Sequence, residues 1–454
     1  MKLLFTLIGS ISSFLSYCQL ESSEKREIVF RSVNVIPMDK EGVVKNQVVV
    51  IKDGKIISLG SSKKVKYSIN ALVIDAKGKY LIPGISEMHA HVPPIDDIEP
   101  MKEVLLLFVT HGITTIRGML GHPKHLELRS LINDGQVLGP RFYTSGPSIN
   151  GTSVSSPAIA DSMVTIQKRM GYDFLKIHPG LTLENFEAVV KKAKELKIPF
   201  AGHVPFDVGI WKVISAGYST IEHLDGFIEA LIPEDKMPTE KEATLFAKYV
   251  ADRVDTTQIP KLIQALKEHH IWIVPTEGFI ERWVTPKINA QNFLKEPDMK
   301  YMDTATLNRW AYEKEDLING PRFDSAKMNA FISLRRRLIS ECNRNGVGLL
   351  LGTDAPQIFN VPGISTLHEL EYLVLSGLTP YEALRTGTVN PAKFYNRSDL
   401  GIIKAGAIAD LVLLDANPLE NISNVEKIEG VMIGKKWLSK SFINETLKKL
   451  EKSK

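Results

Sequence analysis

Leu81-Ile82-Pro83-Gly84-Ile85-Ser86-Glu87-Met88-His89-Ala90-His91 is the stretch that decides the fold. It is an apolar run punctuated by Pro-Gly and closed by two histidines two residues apart. Such a run reads as a buried strand whose last side chains leave on one side. Strand-like runs then recur at 112–116, 141–144, 173–177, 199–201, 218–221, 271–274 and 346–351, with helical patterns between them. In one of these, 183–196, Phe186, Val189, Val190, Ala193 and Leu196 fall at helical spacing. Alternation of this kind predicts parallel strands and crossover helices. With a first strand at 83–89 the count is eight, which predicts an α/β fold of the (β/α)8 TIM-barrel type over residues 83–392.

Outward from this centre the rhythm changes. Residues 27–82 hold β-rich runs at 28–30, 47–51 and 55–59, and Asp53-Gly54 between the last two is a hairpin signal. The far end repeats the pattern at 410–414 and 430–433, before Gly434-Lys435-Lys436. The two ends, 27–82 and 393–440, are expected to pair into a small β-sandwich domain. Residues 233–330 exceed what one strand–helix unit needs, and Trp283, Trp310 and Tyr312 are scattered through them. A long insertion on a barrel's loop face reads as a lid or substrate wall, or as a solvated helical decoration. The tail 448–454 reads as a solvated helix end or frayed segment.

Composition limits the functional classes. Hydrophobic residues make up 44% and charged residues 24%, an ordinary globular balance that leaves no room for a mainly disordered or coiled-coil chain. The net charge is +4 and the charges are mixed, so no nucleic-acid groove is expected. Two cysteines, Cys18 and Cys342, cannot build a disulfide framework or a thiolate metal site. Lys2, the apolar run 3–17 and the charged stretch 21–27 have the layout of a secretory signal, 1–18. The expected location is therefore secreted or periplasmic. The alternative is a lipoprotein anchored through Cys18, which Tyr17 disfavours because a small residue usually stands there. No stretch is long and apolar enough for a stable membrane span.

The chemistry lies at predicted strand ends. His89 and His91 sit at i and i+2, so both imidazoles can share one metal. Lys176 ends the fourth strand. A strand-end lysine is normally a solvent-reaching side chain, but burial among ligands would favour its neutral form, which can add carbon dioxide and become a bridging carbamate. His178 shares its face as a neighbouring donor or pocket residue. His203 ends the fifth strand and His223 the sixth. Either alone reads as a satisfied structural histidine, but on consecutive strands they converge. Asp354, in Gly352-Thr353-Asp354-Ala355, ends the eighth and can be both ligand and proton shuttle. His111, His122, His125, His269, His270 and His368 lack such placement and read as structural or surface residues. Nitrogen and oxygen donors of this kind suit zinc, with manganese, cobalt, iron or nickel as alternatives.

These residues resemble a family. Leu81-Ile82-Pro83-Gly84, His89-Ala90-His91, the run from His111 to Arg117, Gly202-His203-Val204, Ile221-Glu222-His223 and Gly352-Thr353-Asp354-Ala355-Pro356 occur in order. Thr388-Val389-Asn390-Pro391-Ala392-Lys393 and Gly406-Ala407-Ile408-Ala409-Asp410-Leu411-Val412 follow. The chain resembles the metal-dependent amidohydrolase superfamily, in its imidazolonepropionase-like and Xaa-Pro dipeptidase-like branch, over 27 to about 440. The resemblance implies two Zn2+. His89, His91 and Asp354 would hold the more buried one, His203 and His223 the other, and carboxylated Lys176 would bridge them. It implies that Asp354 carries the proton from the attacking bridging hydroxide to the leaving nitrogen, with His178 and Arg117 beside the ligands. Two positions depart from the family pattern: Glu87 stands where aspartate is usual, and Gly118 where an acid commonly follows the arginine. Neither is a ligand, though a pocket contact could be missing.

Three readings follow. The first is hydrolysis of an amide in a small molecule, above all a dipeptide, at a paired-metal site. The second is a one-metal enzyme that opens a cyclic amide or deaminates a ring, with Lys176 unmodified. The third is a catalytically dead binding protein, which retention of the whole residue set disfavours. Lactone and phosphotriester cleavage stay open, because the barrel hosts many reactions. The partner is a small-molecule substrate, and association into a homo-oligomer is common among related barrels.

Overall fold

The computed structural model describes residues 21–22 and 26–452. The expected signal at 1–18, with Cys18, lies outside the described residues. Seven of the expected central strands form: β1 (Ile85–Ala90), β2 (Ile113–Gly118), β3 (Arg141–Thr144), β4 (Leu175–Ile177), β5 (Phe200–Gly202), β6 (Thr220–Glu222) and β7 (Trp272–Val274). β1, β2 and β3 make one parallel sheet, and β4 to β7 a second. Parallel bridges Ser145 to Phe174 and Ile149 to Ile177 join the two.

The eighth expected strand, 346–351, is corrected: it forms a single parallel bridge, Leu349 to Ile273, and no ladder. Its backbone bonds are shared between two neighbours. Leu350 N–H donates to Ile273 (2.9 Å), and Leu351 accepts from Met88 (2.7 Å). Gly348 lies against the Trp272 ring, where an added Cβ would stand 2.2 Å from an indole carbon. The segment is thus held on both sides without regular pairing. Its continuation reaches β1, where Asp354 N–H donates to His89 O (2.9 Å) and His91 N–H to Ala355 O (3.0 Å).

Amphipathic helices cover part of this centre with one apolar face. Leu183–Glu195 buries Phe186, Val189, Val190 and Ala193, and Thr182 Oγ1 caps it by accepting from Asn185 N–H (3.3 Å). Each large side chain so buried contributes about 1.5–3 kcal/mol. Phe186→Ala is the change that would most disturb this face.

Strands from both ends of the chain join one nine-stranded mixed sheet. The seam is the antiparallel pairing of Tyr80–Pro83 with Leu411–Leu414. Asp53-Gly54 makes the expected hairpin between Val44–Lys52 and Lys55–Ser61, with φ +50° and +74°. Of the two readings of the C-terminal tail, the solvated helix end holds, with Lys448 and Lys449 exposed in the last helical turn. Lys440–Leu450 is a helix that buries Ile443 and Leu450. Beyond it, Lys452 N–H donates to Lys300 O (2.8 Å) and its ammonium pairs with Glu103, so this end is docked rather than frayed. Among the described residues no helix is long and apolar enough to cross a membrane.

Candidate metal centre

The parallel register carries the predicted residues to the same ends of their strands. His89 lies in β1 and His91 just beyond it; Lys176 lies in β4; His203 and His223 directly follow β5 and β6. Asp354 Oδ1 stands 2.6 Å from His91 Nε2 and 3.3 Å from His89 Nε2, and its Oδ2 is 4.0 Å from His223 Nε2. Donor atoms of His89, His91 and Asp354 lie within 4.8 Å of one another, close enough to hold one ion. The other imidazoles continue the row. Ring centroids are 4.6 Å apart for His89–His223, 4.7 Å for His203–His223 and 5.5 Å for His178–His203.

Two ligand candidates, His223 and Asp354, and two residues beside them sit on left-handed backbone. φ is +62° at His223, +54° at Leu224, +63° at Asp354 and +50° at Thr276. Non-glycine residues rarely rest there, and such strain persists only where the surroundings hold it. Arg335 does so for His223: its guanidinium donates to His223 O (2.7 Å) and Pro275 O (3.1 Å) and pairs with Glu277 (2.9 Å).

Outer partners fix the imidazoles. His89 Nδ1 donates to Glu222 Oε2 (2.7 Å), His203 Nδ1 to Asp225 Oδ2 (3.0 Å), and His223 Nδ1 meets Thr276 Oγ1 (2.8 Å). With Nδ1 engaged, Nε2 is the free ligand atom. Burial lowers the pKa of His91, His203 and His223, which keeps them neutral as ligands must be. Burial pushes the Asp354 carboxyl upward, but His89, His91 and His223 outweigh it and hold it well below the carboxylate range. Glu222 is likewise raised by burial yet held at about 2 by His89, Arg117 and Lys176.

Lys176 is the telling member. Its side chain is fully buried, its Nζ has no hydrogen-bond partner, and burial brings its pKa down to about 8. His89 Nε2 is likewise buried and makes no well-formed hydrogen bond, with Asp354 Oδ1 beside it at 3.3 Å. An unpartnered buried amine is costly unless something completes it. A donor set of four imidazoles, a carboxylate and this amine fits divalent metal, zinc among the candidates.

His178 and Arg117 occupy supporting places. His178 Nδ1 meets Ser148 Oγ (2.8 Å). Arg117 donates to Thr220 Oγ1 (3.0 Å) and Glu222 Oε1 (3.3 Å), steadying the acid that holds His89. Glu87 proves to be a bracket rather than a pocket contact. It accepts from His89 N–H (2.8 Å), Thr353 N–H and Oγ1 (both 3.0 Å) and Thr366 Oγ1 (2.8 Å), tying β1 to the Asp354 segment. At Gly118 a Cβ would lie 2.8 Å from the Phe142 ring, so the family's acid has no room. Sequence reasoning missed Glu222, Asp225 and Thr276. Glu222 carried a signal, a carboxylate inside the apolar run Thr220-Ile221-Glu222; Thr276 carried none. Part of the 233–330 segment does wall the site. Phe246 lies 5.3 Å from His223 and 6.4 Å from His203, ring to ring, and Phe279 stacks on Trp283 behind it. Trp310 is instead core and Tyr312 exposed.

Residues 80–438 match the amidohydrolase family, and the chain belongs to it: it is a hydrolase acting on carbon–nitrogen bonds. Among individual relatives, it is 23% identical over 465 residues to the ochratoxinase of Aspergillus niger, covering 87% of this chain and 83% of that one. It is 23% identical to the imidazolonepropionase of Pyrobaculum arsenaticum, covering 83% and 88% respectively. Among solved structures, a Xaa-Pro dipeptidase with methionine bound in its active site superposes with a TM-score of 0.65 at 19% identity, over 91% of this chain and all (100%) of that one. At that identity the likeness speaks for the fold alone.

Proposed function

We propose that the chain hydrolyses the amide bond of a small substrate, a dipeptide foremost, at a paired-metal site on a closed (β/α)8 barrel. The continuous run of parallel contacts from β1 through β7 and the Asp354 segment back to β1 supports the barrel. We further propose the division into this barrel, 83–392, and a β-domain from 27–82 and 393–440. The observation that carries the chemistry is the buried, unpartnered Nζ of Lys176 among imidazoles and carboxylates.

His89, His91 and Asp354 would hold one metal and His203 and His223 the other. Lys176, whose neutral form burial favours, would add carbon dioxide: its Nζ lone pair forms the N–C bond as one C–O π pair moves onto oxygen, the proton lost from Nζ passes to water, and the resulting carbamate would offer two oxygens as metal ligands. Metals in such a site lower the pKa of water and polarise a carbonyl. Asp354 takes the proton of the attacking water on its carboxylate and delivers it to the leaving nitrogen. Glu222, Asp225 and Thr276 keep the imidazoles turned toward the centre. Phe246, Phe279 and Trp283 offer an apolar wall to a substrate side chain. The 1–18 segment supports export as the setting of the reaction, with lipidation at Cys18 as the alternative.

A second reading has one support: only His89, His91 and Asp354 lie within mutual chelating range among the described residues. That favours a mononuclear hydrolase of a cyclic amide, or a deaminase. Metal content of protein grown with zinc and bicarbonate, followed by a dipeptide screen, decides. About two metals per chain and turnover of dipeptides are expected. About one metal, with turnover of cyclic amides or amino-substituted rings only, would replace the first reading by the second.

A further inference from the structure

A cavity of about 550 Å³ lies away from the metal centre. It opens between the end of helix Glu99–Thr110, the turn Pro297–Tyr301, helix Ile364–Leu375 and the turn Ile422–Glu426. His111, on its wall, precedes β2, whereas the metal-site residues stand at the opposite ends of their strands. Two cations line it, but each is already matched: Arg282 pairs with Glu296, and Lys300 with Glu451 (2.7 Å). Three further carboxylates remain. Glu426 meets the imidazole of His368 at 3.5 Å. Burial holds its carboxyl above the ordinary range, and Glu371 and Asp298 add to this against His368. Asp298 is more than nine-tenths buried, and its Oδ2 has no hydrogen-bond partner. A buried carboxylate with an oxygen left alone is costly, and a cationic donor brought beside it in the cavity would offset its charge.

The surroundings specify that donor. His111 Nδ1 donates to Leu107 O (2.7 Å), so the Nε2 of this buried, neutral ring is an acceptor as well. Tyr301 and Tyr372 add aromatic rings to the wall, which favour a cation with an organic body. A bare metal ion fits poorly, because the only chelating cluster among the described residues is the one at Asp354. The volume is that of a small-molecule site. We propose that this cavity binds a small organic ammonium compound, with its charged nitrogen on Asp298 and its body between Tyr301 and Tyr372.

Two of its walls lead toward the metal centre. Arg282 belongs to helix Glu277–Val284 and Glu371 to helix Ile364–Leu375. The helices are joined where Glu369 accepts from the N–H groups of Glu277 (2.8 Å) and Gly278 (2.6 Å), next to the Thr276 that holds His223. An occupant of the cavity therefore rests on the elements that position a proposed ligand.

Calorimetric titration of the metal-loaded, full-length protein with phenethylamine tests the proposal, with 2-phenylethanol as its uncharged counterpart. Binding does not require turnover, so the outcome is independent of the reaction assigned above. Phenethylamine should saturate the wild type and Asp354→Asn alike. Asp298→Asn should weaken it about tenfold, Glu426→Gln at the rim about threefold, and the alcohol should bind at least about tenfold more weakly than the amine. Glu426→Gln keeps the test usable should Asp298→Asn fail to fold, as judged by circular dichroism. No saturation at about 10 mM amine would overturn the site. So would wild-type affinity in the folded cavity variants, equal binding of the alcohol, or binding lost in Asp354→Asn alone, which would place the amine at the metal centre.

Discussion

The hairpin of the terminal sheet and the strand ends of the centre both bend the chain through left-handed backbone, for different reasons. At Asp53-Gly54 the two positive φ angles make a two-residue turn whose twist matches its strands. The residue types suit the geometry, and an outside contact, Ala409 N–H donating to Gly54 O (2.9 Å), adds to a turn that its own residues favour. At His223, Leu224, Thr276 and Asp354 the same region is occupied without a glycine, and Leu224 and the β-branched Thr276 are residue types that disfavour it. There the geometry is imposed from outside, by Arg335 on the carbonyl of His223 and by the His89 carbonyl that receives Asp354 N–H. The centre also keeps a buried amine without a hydrogen-bond partner, at Lys176. One region is locally consistent and silent in chemistry; the other carries local conflict where chemistry is expected.

The contrast predicts that damage to the centre costs rate and not fold. Asp354→Asn keeps the shape of the side chain and removes its proton-accepting charge. Its kcat should fall by up to about 10⁴-fold, with an unchanged circular dichroism spectrum. Retained turnover would remove Asp354 from proton transfer. Lys176→Ala comes next. It should lower metal content from about two to about one per chain and kcat by on the order of 10³-fold, with partial rescue by added short carboxylic acids. Unchanged metal content and rate would exclude a carbamate at this position. A smaller effect is expected one step from the ligands. Glu222→Gln leaves His89 Nδ1 a weaker acceptor and should reduce metal affinity about 10–100-fold, read by competition with a chelator. Affinity equal to wild type would mean that a neutral amide oxygen at position 222 orients the imidazole as well as the carboxylate does.

How much of this was legible in the sequence follows the same division. Features that rest on local preference could be read. The Asp53-Gly54 turn, the amphipathic helix capped by Thr182 and seven of the central strands lie within a few residues of where periodicity puts them. Strand order then carried His89, His91, Lys176, His203, His223 and Asp354 toward one place. Features that rest on distant packing could not be read. Thr276 meets His223 across 53 positions, and Glu87 meets Thr353 across 266. Segment 346–351 has the apolar character of a strand but not the pairing, because its bonds divide between Ile273 and Met88. Lys452, just past the C-terminal helix, looked free because its partners, Glu103 and Lys300, lie far away in sequence.

The smallest expected effect tests the silent side of the comparison. Gly54 has φ +74°, and a Cβ there would stand 2.8 Å from the carbonyl oxygen of Gly434 in the facing turn. Gly78 has a similar φ of +81° but nothing within 4 Å. Gly54→Ala therefore meets both the conformational cost and the backbone contact, and Gly78→Ala the first alone. Denaturant titration should show Gly54→Ala destabilised by about 1–2 kcal/mol and Gly78→Ala by about 1 kcal/mol or less. Neither should change kcat/KM on the substrate found, because both turns lie in the terminal segment before β1, apart from the strand ends. Equal losses would show that the Gly434 contact gives way freely. A fall in kcat/KM with either variant would show that the terminal sheet helps to set the strained strand ends, and the two regions would then be energetically one.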